Sequence, residues 1–257
     1  MTSPWNPAQY ERFSSERTQP FLDLIGMVTP APGGRVVDLG CGTGELTRLL
    51  HEHTGAAETV GVDSAETMLA KSAQFAGSGL RFEQGTIETY RPNGPFDVVF
   101  SNAAYQWVPG HAALIPALTA LVAPGGQFAF QVPANDDHAS HVVAREVAAE
   151  EPYRTALGGY ERTWPVMKPE WYAESLDALG FVHLNVRLQV YGHHLESTGA
   201  VVEWVKGTYL TDYARRMPAE LYERYLVRYR QALLERLGER SPFFYSYKRI
   251  LAHARRA

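Results

Sequence analysis

Val36-Val37-Asp38-Leu39-Gly40-Cys41-Gly42-Thr43-Gly44 is the stretch on which the reading of this chain turns. A short β-rich run from Arg35 to Leu39 ends in three glycines at alternate positions, and Leu46, Leu49 and Leu50 then recur at helical spacing across residues 44–52. Strand, tight turn and helix make a first βα unit. The pattern repeats: residues 59–63 read as a second strand, and Ser64 is a suitable N-cap for a helix over residues 66–75. Residues 80–83, 96–100 and 127–132 read as the third, fourth and fifth strands, the last announced by the turn Pro124-Gly125-Gly126.

Repeated βα units imply an α/β fold with a doubly wound, mostly parallel sheet. Beyond Pro133 helices are expected over residues 139–149, 170–179, 200–206 and 218–237, with a sixth strand at 182–191 and a seventh at 245–252. Residues 152–169 read as irregular and aromatic. The expected organisation is one domain over 1–257, with a ligand-binding core at 30–133 and helical cap elements at 134–180 and 195–240.

Composition narrows the function classes. The 257 residues are 45% hydrophobic and 20% charged, a globular balance rather than a disordered one. The single cysteine, Cys41, excludes an internal disulfide framework and a cysteine-based zinc site, and it suits a reducing cytoplasm. No leader-like or membrane-spanning apolar run is present, so neither export nor a membrane partner is expected. The net charge of -4 argues against nucleic acid as a partner, yet it is unevenly spread. Residues 215–257 hold ten arginines and one lysine against four glutamates, a surplus of +7 that leaves -11 on the remainder.

The glycine turn fits neither common phosphate motif. Its spacing is G-x-G-x-G, with Glu45 where a dinucleotide fingerprint has Gly or Ala, and no Gly-Lys-Ser/Thr follows. Asp63 ends the next strand 19 residues after Gly44, where a carboxylate can accept hydrogen bonds from the ribose of an adenosine ligand.

An acid followed by G-x-G-x-G, with an acid at the tip of the next strand, resembles the class I S-adenosylmethionine-dependent methyltransferases. That resemblance implies a Rossmann-like fold and a cofactor site formed by Asp38, Gly40, Cys41, Gly42, Gly44, Asp63, Ser64, Met68, Thr86, Ile87 and Asn102. In it the three glycines lie along the methionine and ribose of the cofactor, Asp63 takes the ribose diol and Met68 covers the adenine. Thr86 stands where the family usually has an acid for the adenine amine. S-adenosyl-L-homocysteine is the implied product, and no metal is expected.

The flanking segments narrow the resemblance. Trp5-Asn6-Pro7, Glu16-Arg17, Tyr105-Gln106-Trp107-Val108-Pro109-Gly110-His111, Gln131-Val132-Pro133, Glu203-Trp204-Val205-Lys206-Gly207-Thr208 and Lys248-Arg249 are similar, in order, to the trans-aconitate methyltransferase family. The implied reaction is carboxyl O-methylation of a small polycarboxylic acid, with trans-aconitate as the expected acceptor. A carboxylate is already ionised at neutral pH, so no catalytic base is required. Arg17, Tyr105, Trp107, His111, Lys206 and Arg249 are the candidates for positioning its carboxylates, and the basic C-terminal segment would supply charge. Arg228, Arg230 and Arg236 read as the solvated face of a long helix, and the adjacent His193 and His194 should point to opposite faces of a strand. Some members of the family carry Arg-Pro where this chain has Leu210-Thr211-Asp212, which exchanges a cation for an anion. The alternatives are an O- or N-methyltransferase of another small metabolite, which would need a base such as His111 or His141, and a non-catalytic S-adenosylmethionine-binding protein. Oligomeric state is left open.

Overall fold

A computed structural model describes residues 14–257, with side chains from Thr18 onward. Arg17 therefore lies outside the described side chains. Seven strands form one sheet: β1 (Arg35–Leu39), β2 (Glu58–Asp63), β3 (Leu80–Gln84), β4 (Phe96–Asn102), β5 (Val122–Pro133), β6 (Phe181–Leu195) and β7 (Phe243–Arg256). Their order is β3-β2-β1-β4-β5-β7-β6. The first five pair in parallel, and β7 runs antiparallel to β5 with Gln131 opposite Leu251 and Pro133 opposite Arg249. Strand order reverses between β1 and β4, and a parallel sheet opens a crevice at the carboxyl ends of its strands at such a point. The doubly wound seven-stranded expectation is met. β5, β6 and β7 run longer than their sequence patterns suggest, and on β6 the many exposed positions dilute the alternation.

Ten helices flank or follow the strands among the described residues: α1 (Ser14–Ile25), α2 (Glu45–Thr54), α3 (Glu66–Ser72), α4 (His111–Thr119), α5 (Ala139–Ala148), α6 (Tyr153–Ala156), α7 (Pro169–Ala178), α8 (Ala200–Lys206), α9 (Thr211–Arg216) and α10 (Ala219–Leu237). Ser64 does not cap α3. Ala65 holds the N-cap position, and the Asp63 carboxylate accepts the Ala65 N–H at 2.9 Å instead. An Asp bonding the amide two residues on is the commoner turn chemistry, and it displaces the serine.

Contacts divide the chain into two compact units. Among the described residues, one contains residues 18–133, 165–189 and 249–257; the other contains residues 134–164 and 190–248. In the first, Val36, Val37, Leu39, Phe96, Phe100, Phe128 and Phe130 are wholly buried, and Phe100 meets Phe21 edge to face at 5.6 Å. In the second, tyrosines dominate the core. Tyr225 and Tyr229 on α10 are buried and donate their hydroxyls to the carbonyls of Ala144 (2.9 Å) and Ser140 (2.8 Å) on α5. Each ring thus buries apolar area without orphaning its polar end. His193 is buried beside Trp204 while His194 is exposed, as strand alternation requires. Among the described residues no helix is long and apolar enough to cross a membrane.

Phe100→Ala should lower stability by about 3–5 kcal/mol through the cavity left in the middle of the sheet. Urea unfolding followed by fluorescence measures it, and a loss under 1 kcal/mol would mean that the β4 core is not packed as described.

Candidate functional site

The glycine turn is held by the protein's own hydrogen bonds. The amides of Gly40 and Cys41 both donate to the Val62 carbonyl of β2, at 2.8 and 3.0 Å, and the Gly42 amide donates to Asp63 Oδ2 at 2.9 Å. Those N–H groups are already engaged within the protein. Asp63 closes the link with its other oxygen on Ala65, so one carboxylate joins the loop after β1 to the turn after β2. Each oxygen keeps a further lone pair.

Two glycines of the loop differ in what surrounds them. Gly40 has φ +85°, and a Cβ there would stand 2.2 Å from the Ala104 Cβ just after β4. Gly42 has φ +56°, yet nothing lies within 4 Å of where its Cβ would be. The first excludes a side chain because the protein fills the space; the second stands over open space.

Asp38, on β1 beneath the loop, is 3% exposed. Its Oδ2 accepts the Thr47 hydroxyl at 2.6 Å, and its Oδ1 is buried with no hydrogen-bond partner among the described residues. Burial raises the carboxyl to about 7, the Thr47 hydroxyl opposes the rise and the charge of Asp63 adds to it. Burial also pushes the Cys41 thiol up, so it is no nucleophile at neutral pH.

The remaining expected cofactor residues are placed as follows. Ser64 is exposed, and Met68 is half-buried on α3. The Thr86 hydroxyl is exposed, shares a 2.7 Å hydrogen bond with Thr89 and accepts the Thr89 amide, so it terminates a local turn. Ile87 reaches to 3.8 Å from the position of a Gly40 Cβ, beside the loop. Asn102, at the end of β4, accepts Gln131 Nε2 at 2.8 Å, which leaves its own amide as donor. Gln131 Oε1 in turn accepts Arg249 Nη1 at 3.2 Å. Arg249, Gln131 and Asn102 thus form a row across β7, β5 and β4, and this row was not legible from sequence.

Two of the residues expected to position the acceptor, Tyr105 and His111, are buried instead. Tyr105 is fully buried with its ring 5.4 Å from Phe130 and 6.4 Å from Phe128, so it is core. His111 is buried, and both ring nitrogens are taken, one by the Tyr172 hydroxyl and the other by the Tyr105 carbonyl. Trp107 is 53% exposed, with its indole placed to line a surface. Lys206, in the other unit, is half-buried at the end of α8. The basic C-terminal segment is also largely engaged within the fold. Arg228 forms a two-pronged pair with Glu150 (2.7 and 2.9 Å), Arg236 meets Glu146 at 2.8 Å, and Arg230 reaches the Gly199 carbonyl. Arg230 and Arg236 are exposed and Arg228 is half-buried, so the expected solvated face is present, and its surface pairs also tie α10 to its neighbours. The anion introduced at Asp212 is answered by Arg162 at 2.9 Å and Arg216 at 3.2 Å. Among the described residues no cluster of three or more His, Cys, Asp or Glu could hold a metal ion.

Sheet order, glycine turn and a carboxylate at the tip of β2 define the class I methyltransferase fold. Residues 36–126 match a family model described as a methyltransferase domain. The YcgJ protein of Bacillus subtilis superposes over 93% of this chain and 98% of its own, with TM-score 0.62 and 16% identity, a likeness of fold. The trans-aconitate 2-methyltransferase of Deinococcus radiodurans is 42% identical over 98% of both chains, and that of Variovorax paradoxus is 39% identical over 98% of this chain and 95% of its own. The chain belongs to the trans-aconitate 2-methyltransferase family of S-adenosylmethionine-dependent methyltransferases.

Because the folded Asp38 carboxyl titrates above its unfolded value, the native state holds more protons than the unfolded chain between about pH 4 and pH 7. Stability from this group is therefore present at low pH and lost as pH rises through about 7. Urea midpoints measured across that window should fall with pH in the wild type, and Asp38→Asn should remove that fall; identical slopes would contradict the buried carboxyl.

Proposed function

We propose that this protein transfers the methyl group of S-adenosylmethionine to a carboxylate of a small polycarboxylic acid, with trans-aconitate the preferred acceptor. The observation that carries the cofactor half is the pairing of an orphaned buried carboxylate oxygen on Asp38 with the open space over Gly42. A buried acceptor atom without a donor suits a cationic ligand, and a bare glycine backbone suits a ligand in close contact. When bound, S-adenosylmethionine supplies an electrophilic methyl group on a sulfonium. Asp63, Asn102, Met68, Thr86 and Ile87 are the residues we assign to the ribose, the polar end and the adenine, with Gly40, Cys41, Gly42, Gly44 and Ser64 shaping the loop.

The acceptor half rests on family membership and on what the chain's own groups can do. Arg249, 6% exposed and steadied by Gln131, is a cation at the carboxyl edge of the sheet where a carboxylate would be held. The exposed Trp107 offers an apolar wall. No side chain needs to remove a proton, because a carboxylate with a pKa near 4 arrives ionised. The histidines suit that reading: His111 has both nitrogens occupied, and burial drives His141 down to about 3, leaving it neutral. A hydroxyl or nitrogen acceptor would require a base that neither histidine provides.

Purified protein with S-adenosylmethionine and trans-aconitate should yield S-adenosylhomocysteine and a monomethyl ester by mass spectrometry; no turnover across a panel of di- and tricarboxylic acids would refute the assignment. Asp63→Ala should weaken S-adenosylhomocysteine binding by about 1–3 kcal/mol, read by calorimetry, since it removes both the ribose acceptor and the anchor of Gly42. Gly42→Ala should preserve the fold, at a strain of roughly 1–2 kcal/mol, and abolish cofactor binding. Full binding by that variant would show that the open space is not the cofactor's.

A further inference from the structure

The unit containing residues 134–164 and 190–248 holds a buried cationic cluster that the cofactor site does not use. Arg162 has a side chain only 8% exposed and lies with its guanidinium carbon 4.3 Å above the Tyr209 ring. Trp164 packs on the same tyrosine at 6.0 Å, and His141 meets it edge-on at 4.2 Å. Arg145 donates to the Tyr209 hydroxyl at 2.9 Å from the far side. Tyr209 thus has one guanidinium on its face and another on its hydroxyl.

The cluster's own acceptors are committed. Asp136 takes Arg145, and Asp212 takes Arg162 at 2.9 Å together with the Tyr160 hydroxyl at 2.6 Å and Arg216. Two donors are left over: Arg162 Nε and Trp164 Nε1 are both buried and meet no acceptor among the described residues. Neither group can accept a hydrogen bond, so only an incoming acceptor can satisfy them. His141, held by Ser140 through Nδ1, adds no charge of its own. Burial holds that imidazole unprotonated, and His138, Arg145 and Arg162 add to the effect.

We infer that Arg162 and Trp164, steadied by Tyr209 and Asp212, form a carboxylate-binding site that recognises the polycarboxylic acceptor. This rests on the reading of the protein as a carboxyl methyltransferase and adds to it the residues that select for more than one carboxylate. The guanidinium edge at Nε presents a fork matched to a carboxylate, and the indole N–H supplies a donor that carries no charge. Asp212 then has a purpose that its sequence context obscured. It holds Arg162 by Nη1 and leaves Nε, buried beside it, without an acceptor among the described residues. A water molecule satisfying the same two donors is the competing account.

The test uses the full chain and separates the accounts. Trp164→Phe keeps the ring and removes one N–H; Arg162→Lys keeps the charge and removes the fork. Each should raise the KM for trans-aconitate about tenfold or more, leaving kcat within a few fold and S-adenosylhomocysteine affinity unchanged. The penalty should shrink for a monocarboxylic acceptor, which has no second carboxylate to lose. KM values within twofold of wild type in both variants would overturn the site and favour the water. If the wild type turns over no acid, the functional reading fails on its own, and calorimetry of trans-aconitate binding decides the site separately. Binding by wild type that Trp164→Phe weakens tenfold would support it, and equal binding or none would end it.

Discussion

The carboxylate of Asp63 accepts two backbone amides, Gly42 on one side and Ala65 on the other. Through these bonds the end of β2 sets the path of the loop leaving β1, and the loop then passes so close to Ala104 that only glycine fits at position 40. Three consecutive strands of the sheet order, β2, β1 and β4, are thereby tied at their carboxyl ends. The wholly buried Val36, Val37, Leu39 and Phe100 beneath them keep those ends in register. A ligand site at this edge needs little rearrangement, because the protein supplies the hydrogen bonds that shape it. Such a preformed cradle lowers the ordering cost of binding.

The same economy of design is absent under the loop. Asp38 is buried with one oxygen unmatched and a carboxyl that titrates near neutrality. A protein optimised for stability alone would place an apolar or fully bonded group there. The imbalance is the kind expected where a cationic ligand completes the site. In the second unit the imbalance has the opposite sign, with two donors left over beside two guanidiniums. Methyl donor and acid acceptor carry opposite charges, and each class of orphaned atom suits one of them.

Much of this was legible in the sequence. The glycine spacing, the strand-helix alternation and Asp63 gave the fold and the cofactor class, because those features depend on local backbone geometry. What escaped depends on contacts between distant residues. Arg162 lies in a stretch with no periodicity, and its partner Asp212 is fifty positions away, so the pair looked like an irregular loop and a lost cation. Tyr105 and His111 fall in a motif that suggested ligand contact, and packing took them into the core. The basic C-terminal surplus looked like a reservoir for an acidic substrate, while Arg228 and Arg236 are engaged by Glu150 and Glu146. Arg249 alone of its candidates stands in the row at the sheet edge.

In the proposed reaction the acceptor is a carboxylate and the protein supplies no base. The pH dependence of kcat, measured with cofactor and trans-aconitate both saturating, tests this most directly. The account predicts a rate that is flat from about pH 6 to pH 9, above the acceptor's own ionisation. A profile that climbs through a single ionisation near pH 6–7, and keeps that climb in Asp38→Asn, would reveal a protein base and contradict this.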